Sequence, residues 1–446
     1  MRRGFPTADG LPTADTSPRG VDRPKTSRDQ RRAWLLAAAA FMTICIVVVV
    51  PLSGRYDLWL MLLPPSAKRL LLRPAEAEEM LSGHTFLFIG GPHRGGTTLL
   101  WRLLRLHPQA GAFDQRTDSD FSEGAFLQTV LPTFGVGHEA EHCRRPSGAR
   151  RTRGVGAYAF DRGSHLTERS PLATRATRDT LLAEWGFYWK KASGLGRPLL
   201  VEKTPTNMMT ARLLQALFAP KASFLFVTRH PIAVTLAERK LTACPGGRGG
   251  ARNENGVAEG VLHWTLAHTV LERDLQQLES ARVLRYEDLA ASPAACLAQV
   301  GSWLGAPRAD GGGVPPEPGS AAAWRRAVAA EEVSSSTNHK YEVAYCGREL
   351  ATEAQRSAHC AMAAAMQPEI DLLGLGYNVL RGGSLGFECM GERVACAAEE
   401  GGSADTGRLR TALRESLAGY REPVAPDSAG LQLGGARLLC AGLAKG

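Results

Sequence analysis

The chain has 446 residues, 44% of them hydrophobic, enough to bury a large core in one or two domains. Its formal net charge is +9, from 53 Lys and Arg against 44 Asp and Glu, which suits a polyanionic ligand or an anionic membrane surface. Nucleic acid is set aside as a partner, because the sequence contains no zinc-ligand spacing, no aromatic–basic RNA motif and no basic recognition helix.

Residues 1–32 carry eight Arg or Lys and four Asp and are rich in Pro, Thr, Ser and Gly, a composition that predicts a disordered tail. Residues 33–54, AWLLAAAAFMTICIVVVVPLSG, hold no charge. About 20 residues at ~1.5 Å each cross the ~30 Å bilayer core. The run is longer, and begins later, than the apolar region of a cleaved signal peptide, so a single uncleaved transmembrane helix is expected. The positive charge before it places the N-terminus in the cytosol and the rest of the chain across the membrane. Residues 55–83 read as a stem, with a helical turn over 76–82 leading into the first strand. Of nine cysteines, Cys45 lies in the anchor and the other eight face an oxidising lumen, where disulfides are allowed and their pairing is open. The absence of CxxC and of Asn-X-Ser/Thr argues against a zinc site and N-glycosylation.

The folded domain is expected over 84–380. It begins with FLFIGGPHRGGTTLLWRLLRLH (86–107), which reads strand, glycine-rich turn, helix. The glycines let the backbone approach a ligand, and the helix opening at Thr97 and Thr98 offers unpaired N–H groups and a positive dipole end to an anion. Gly91 and Gly96 have the spacing of a nucleotide-binding P-loop, but the Lys that must follow is Thr97, and the positive charge comes earlier, at Arg94. This counts against an NTPase or kinase. Residues 107–128 then turn back with four carboxylates, Asp114, Asp118, Asp120 and Glu123. Residues 138–154 contain five arginines between Arg144 and Arg153, either a solvated insertion or a docking patch for an acidic acceptor.

A helix is expected over 176–193 from the spacing of Leu181, Leu182, Trp185 and Trp189. In PLLVEKTP (198–205) the strand Leu199–Val201 delivers Glu202, Lys203 and Thr204 at its C-terminal end, where ligands bind in parallel α/β sheets. An amphipathic helix (207–220) precedes a second strand–turn–helix, SFLFVTRHPIAVTLAERK (223–240), with Arg229 at the strand end. A loop (244–256), a helix (257–278) and a strand, acidic turn and helix over ARVLRYEDLAASPAACLAQVGSWLGAP (281–307) follow. Residues 331–346 read as a loop, 350–373 as a helix, and 381–446 as a Gly/Ala-rich, poorly ordered tail in which Cys389 and Cys396 are candidate staples.

Four features in this order, PHRGGTT, VEKTP, TRHP and RYEDL, resemble the PAPS-dependent sulfotransferases (PAPS is 3′-phosphoadenosine 5′-phosphosulfate), in particular the Golgi protein-tyrosine and carbohydrate enzymes. The resemblance covers 84–307 well and 308–380 weakly. It implies an α/β, P-loop-like three-layer sandwich with a central parallel sheet, and a type II Golgi membrane protein with its catalytic domain in the lumen. PAPS is the implied co-substrate, with no metal. A protein or glycan acceptor, possible acidity of that acceptor included, completes the partners, and a homodimer is compatible with the resemblance. Arg94, Gly95, Gly96, Thr97 and Thr98 match the 5′-phosphosulfate loop, with Gly95 where the family usually has Ser. Lys203 matches the lysine that contacts the transferring sulfuryl group, and Arg229 the arginine that holds the 3′-phosphate.

The family's Ser eight positions after that arginine is Ala237 here. Thr235 lies two residues early, roughly 200° away on a helix, which leaves Arg239 or Lys240 to assist. Ser334–Ser336 and Lys340 fall in the region that closes over PAPS in the family. RYEDL is structural in the family, its acidic pair capping the next helix and pairing with basic neighbours. The general base is Glu123, with Asp114 as the competing position. Two rivals stay open: a P-loop NTPase or kinase, and a non-catalytic nucleotide- or sulfate-binding protein of the same fold.

Overall fold

The apolar runs assemble into one sheet. The computed structural model describes residues 74–113, 122–134, 154–191, 194–241, 256–306, 319–331, 338–380, 404–418 and 437–441, with a few isolated positions between them. Its strands are β1 (Thr85–Gly90), β2 (Ala110–Ala112), β3 (Leu199–Lys203), β4 (Ala222–Thr228), β5 (Ala281–Arg285) and β6 (Leu438–Leu439). They lie in the order β2-β3-β1-β4-β5-β6, and every neighbouring pair is parallel. All the described residues fall in one compact unit, Leu63–Gly446. The run 33–54, expected as the membrane anchor, lies outside the described residues. Among the described residues no helix is long and apolar enough to cross a membrane.

The period of two along a strand decides which layer each residue joins. Phe86 and Phe88 of β1, with Phe224 and Phe226 of β4, meet Trp185, Trp189 and Phe218 from the Arg175–Lys191 and Asn207–Phe218 helices. Leu87, Ile89, Leu225 and Val227 point the other way, onto Leu100 and Leu103 of the Thr97–Leu104 helix and Leu297 and Val300 of the Pro293–Gly305 helix. Both faces are therefore covered, which is why these strands read as unbroken apolar runs rather than alternating ones. The expected three-layer α/β arrangement is present.

Three expectations change. The helical turn expected over 76–82 is a longer helix, Pro74–Gly83, whose Ala77 and Met80 are buried in the core and whose Glu78 pairs with Arg175 at 2.5 Å. β3 extends two residues further than expected, so Glu202 and Lys203 belong to the strand itself. The segment from 381 is not simply a loose tail. It supplies the Ala404–Ala418 helix, whose Leu413 is buried and whose Arg410 donates to the Ala364 carbonyl at 2.9 Å. It also supplies β6 on the sheet edge, and Cys396 and Cys440 are bonded to Cys360 and Cys296. A Gly/Ala-rich composition concealed these pieces because covalent links and a neighbouring strand hold them, rather than a strong apolar pattern of their own.

Candidate active site

The C-terminal ends of β3, β1, β4 and β5 lie side by side and bring the sequence motifs to one edge of the sheet. The register pairs Ile89 with Lys203, Gly90 with Phe226, and Thr228 with Arg285. The loop after β1 thus sits between Lys203 at the end of β3 and Arg229 just past β4.

The loop's shape explains its glycines. Gly91 is packed so closely that a Cβ there would strike the Val227 carbonyl, and its N–H donates to the Pro205 carbonyl at 2.9 Å. Gly91 has φ 150°, Arg94 φ 62° and Gly96 φ 110°, so the chain takes a positive φ three times before the helix begins. At Gly96 a Cβ would collide with the Tyr286 ring. Gly95 stands where the family pattern has Ser, and a Cβ there would come within 2.8 Å of Pro92. Gly96 is the N-cap of the Thr97–Leu104 helix and has no side chain to cap it, which keeps the first N–H groups of that helix available to an anion. Thr97 is buried, whereas Thr98 and Arg94 are exposed.

Lys203 and Glu123 meet. The ammonium donates to Glu123 Oε1 at 2.8 Å, with side chains 0% and 9% exposed. Burial pushes the Glu123 pKa up, against the attraction of Lys203, which pulls it down. The competing base position, Asp114, lies outside the described residues, as do Asp118 and Asp120. The arginine-rich stretch falls there as well, apart from Gly154, and so do Ser334–Ser336.

Arg229 is held flat. Its guanidinium carbon lies 4.2 Å from the Tyr286 ring centroid and 5.1 Å from that of Tyr341. Its Nε donates to Asn338 Oδ1 at 2.9 Å, and its Nη1 to the Arg94 carbonyl at 3.1 Å. The phosphate-type loop and the arginine are thereby tied directly together. His230, next in the turn, is not a second cation: burial, with Arg229 alongside, pushes its pKa down to about 4.

The RYEDL segment differs from expectation. Asp288 pairs with Arg285 at 2.6 Å, as expected, but no side chain caps the Tyr286–Ala291 helix. Glu287 instead accepts from the His230 N–H at 3.0 Å, Asn338 Nδ2 at 2.7 Å and the Tyr377 hydroxyl at 2.8 Å. It braces the turn that carries Arg229. Sequence reasoning missed Tyr286, Tyr341, Asn338 and this role of Glu287, and Asn338 has no sequence signal that marks it.

Ala237 is buried and offers no hydroxyl. Thr235 donates to the Pro231 carbonyl at 2.9 Å within its own helix, and Arg239 is engaged by Glu349 at 2.8 Å. Lys240 and Lys340 lie 5.4 and 5.1 Å from the Tyr341 centroid, so three cations, counting Arg229, converge on one ring. Among the described residues no group of three His, Cys, Asp or Glu is placed to hold a metal ion.

The model of the Sulfotransferase family matches residues 87–310. The chain belongs to this family. The matched span contains the loop, Lys203, Glu123, Arg229 and the RYEDL segment. Among solved structures, this sulfotransferase is similar to STF1 of Mycobacterium tuberculosis, at 15% identity over 65% of this chain and 85% of the other, with a TM-score of 0.38. STF9 of Mycobacterium avium matches at 13% identity over 62% and 79% of the two chains, with a TM-score of 0.34. The sulfotransferase domain of a Synechococcus olefin synthase matches at 18% identity over 58% and 93%, with a TM-score of 0.29. No curated protein sequence matches the chain.

Proposed function

We propose that this sulfotransferase moves a sulfuryl group from PAPS to an acceptor hydroxyl, a protein tyrosine or a glycan, as a type II Golgi membrane protein anchored by residues 33–54. The observation that carries the reading is the 2.8 Å contact between Lys203 and Glu123 beside the glycine loop. A base and a cation at one strand end are what displacement at sulfur requires: one group takes the proton of the attacking hydroxyl, and the other meets the growing negative charge. Glu123 takes the first role. Lys203, Arg94 and the N–H groups at Thr97 and Thr98 take the second, and Arg229 holds the 3′-phosphate. The cradle fits such a donor, because Gly96 leaves the N-terminus of the Thr97–Leu104 helix without a side-chain cap. The anchor and its orientation rest on the uncharged run 33–54 and the basic segment before it, and the Golgi assignment rests on the resemblance to Golgi sulfotransferases alone.

The test is sulfate transfer from radiolabelled PAPS by the full-length chain to a panel of acidic peptides and glycans, run beside binding of the nucleotide product 3′-phosphoadenosine 5′-phosphate (PAP). Transfer to one acceptor class supports the reaction and identifies the substrate. PAP binding without transfer to any acceptor favours a non-catalytic binder of this fold, and no PAP binding overturns the reading.

Lys240 supplies the contact that Ala237 does not. It lies one helical turn beyond Ala237, on the same side, and its ammonium sits with Arg229 around Tyr341. Lys240→Ala is expected to weaken PAP binding about 3- to 10-fold, with a shallower salt dependence, since an exposed cation contributes modestly and is screened. Isothermal titration at two salt concentrations checks this, and an unchanged affinity at both removes Lys240 from the site.

A further inference from the structure

Glu202, one residue before Lys203, is fully buried and takes no part in the chemistry assigned to Glu123 and Lys203. Its Oε1 accepts the Gly124 N–H at 2.9 Å and the Thr204 hydroxyl at 2.5 Å, and its Oε2 accepts from Asn207 Nδ2 at 2.5 Å. Gly124 directly follows Glu123. The next N–H, that of Ala125, donates to Thr204 Oγ1 at 3.0 Å, and the Gly124 carbonyl accepts the Trp185 indole N–H at 3.0 Å. The short 3₁₀ turn Gly124–Phe126 is thus fastened from β3 on one side and from the Arg175–Lys191 helix on the other. Gly124 has no room for a side chain, since a Cβ there would strike Glu202 Oε1.

We infer that Glu202 is a positioning residue, which fixes the backbone of the 123–126 turn and so aims the Glu123 carboxylate at the acceptor hydroxyl. The inference rests on the sulfuryl-transfer reading. Filling space would not require a carboxylate here, because an apolar side chain would do so without the desolvation cost that raises the Glu202 pKa to about 7. Three donors converging on its two oxygens, one of them the N–H next to the base, give the charge a geometric purpose.

The experiment uses the full-length chain. In Glu202→Gln the amide oxygen keeps the Gly124 and Thr204 bonds, but its NH₂ faces the Asn207 NH₂, donor against donor. Glu202→Asp is one methylene shorter and withdraws from Gly124. Gly124→Ala displaces the carboxylate without altering its charge, and serves if a Glu202 variant does not fold. Glu202→Asp and Gly124→Ala are each expected to lower kcat about 10- to 100-fold, the effect of misplacing a catalytic group by about 1 Å, and Glu202→Gln, which keeps the Gly124 bond, to lower it less, with KM for PAPS and Kd for PAP unchanged. In a Glu123→Gln background the same substitutions should cost little more, because Glu202 acts through Glu123. If wild-type kcat survives in all three variants, or if their losses multiply in full in the Glu123→Gln background, the inference is overturned while the transfer reading stands. Absence of transfer by the wild-type chain overturns both together.

Discussion

Lys203→Ala is expected to lower kcat for sulfuryl transfer by about 10²–10³-fold while PAP still binds. Two losses combine. The cation that meets charge developing at sulfur disappears, and Glu123 loses the partner that keeps it ionised. Taking one member from a buried ion pair costs about 3–5 kcal/mol if the other keeps its charge. Glu123 has a cheaper course: its pKa is already raised by burial, Lys203 is what opposes that rise, and without Lys203 it takes up a proton. The sign follows. In the wild type the base works ionised, so activity should rise with pH through a window above the ordinary carboxylate range. In Lys203→Ala this acid limb should move to still higher pH. Glu123→Gln should lose a similar factor in kcat and show no such limb. Profiles of kcat/KM against pH for the three proteins, with thermal unfolding to confirm that each is folded, check the assignment. An acid limb unmoved in Lys203→Ala would show that another group is the base.

The second large effect is expected at Arg229. Arg229→Ala should weaken PAP binding about 100-fold, in the range for removing a well-placed charge-assisted contact to phosphate. It should leave the affinity for adenosine 5′-phosphate, which has no 3′-phosphate, nearly unchanged. That contrast separates loss of one subsite from collapse of the pocket. Arg229→Lys should fail almost as badly. A planar guanidinium stacks on Tyr286 and spans Asn338 and the Arg94 carbonyl at once, and an ammonium on a flexible stem does neither. Titration calorimetry with both nucleotides reads the result. Equal weakening for the two ligands would place Arg229 away from the 3′-phosphate.

The parts of the site that the sequence announced are those made by contiguous residues. A short apolar run before GGPHRGGTT, a strand ending in EKTP and another ending in TRHP each carry their own signal, because turn chemistry and strand-end placement are local rules. Glu123 was identifiable as a carboxylate close in sequence to the loop, although only the fold sets it against Lys203, 80 residues away. Glu287 and Asn338 were not legible in these roles. Their bonds join positions 51 to 109 residues apart, and no periodicity encodes such a meeting. β2 and β6 were missed for another reason: strands of three and two residues are too short to show an alternation.

β6 completes the sheet from the far end of the chain. Leu438 and Leu439 pair with Val283 and Leu284, and Cys440 is bonded to Cys296, a fully buried residue. A premature stop between 380 and 437 would spare Lys203, Glu123, Arg229 and the whole loop. It would nonetheless leave the backbone of β5 uncovered along one side and the Cys296 thiol without its bond, and an open strand edge is a template for pairing with other chains. Such a truncated product is expected to self-associate through that edge, although Lys203, Glu123 and Arg229 are all present in it.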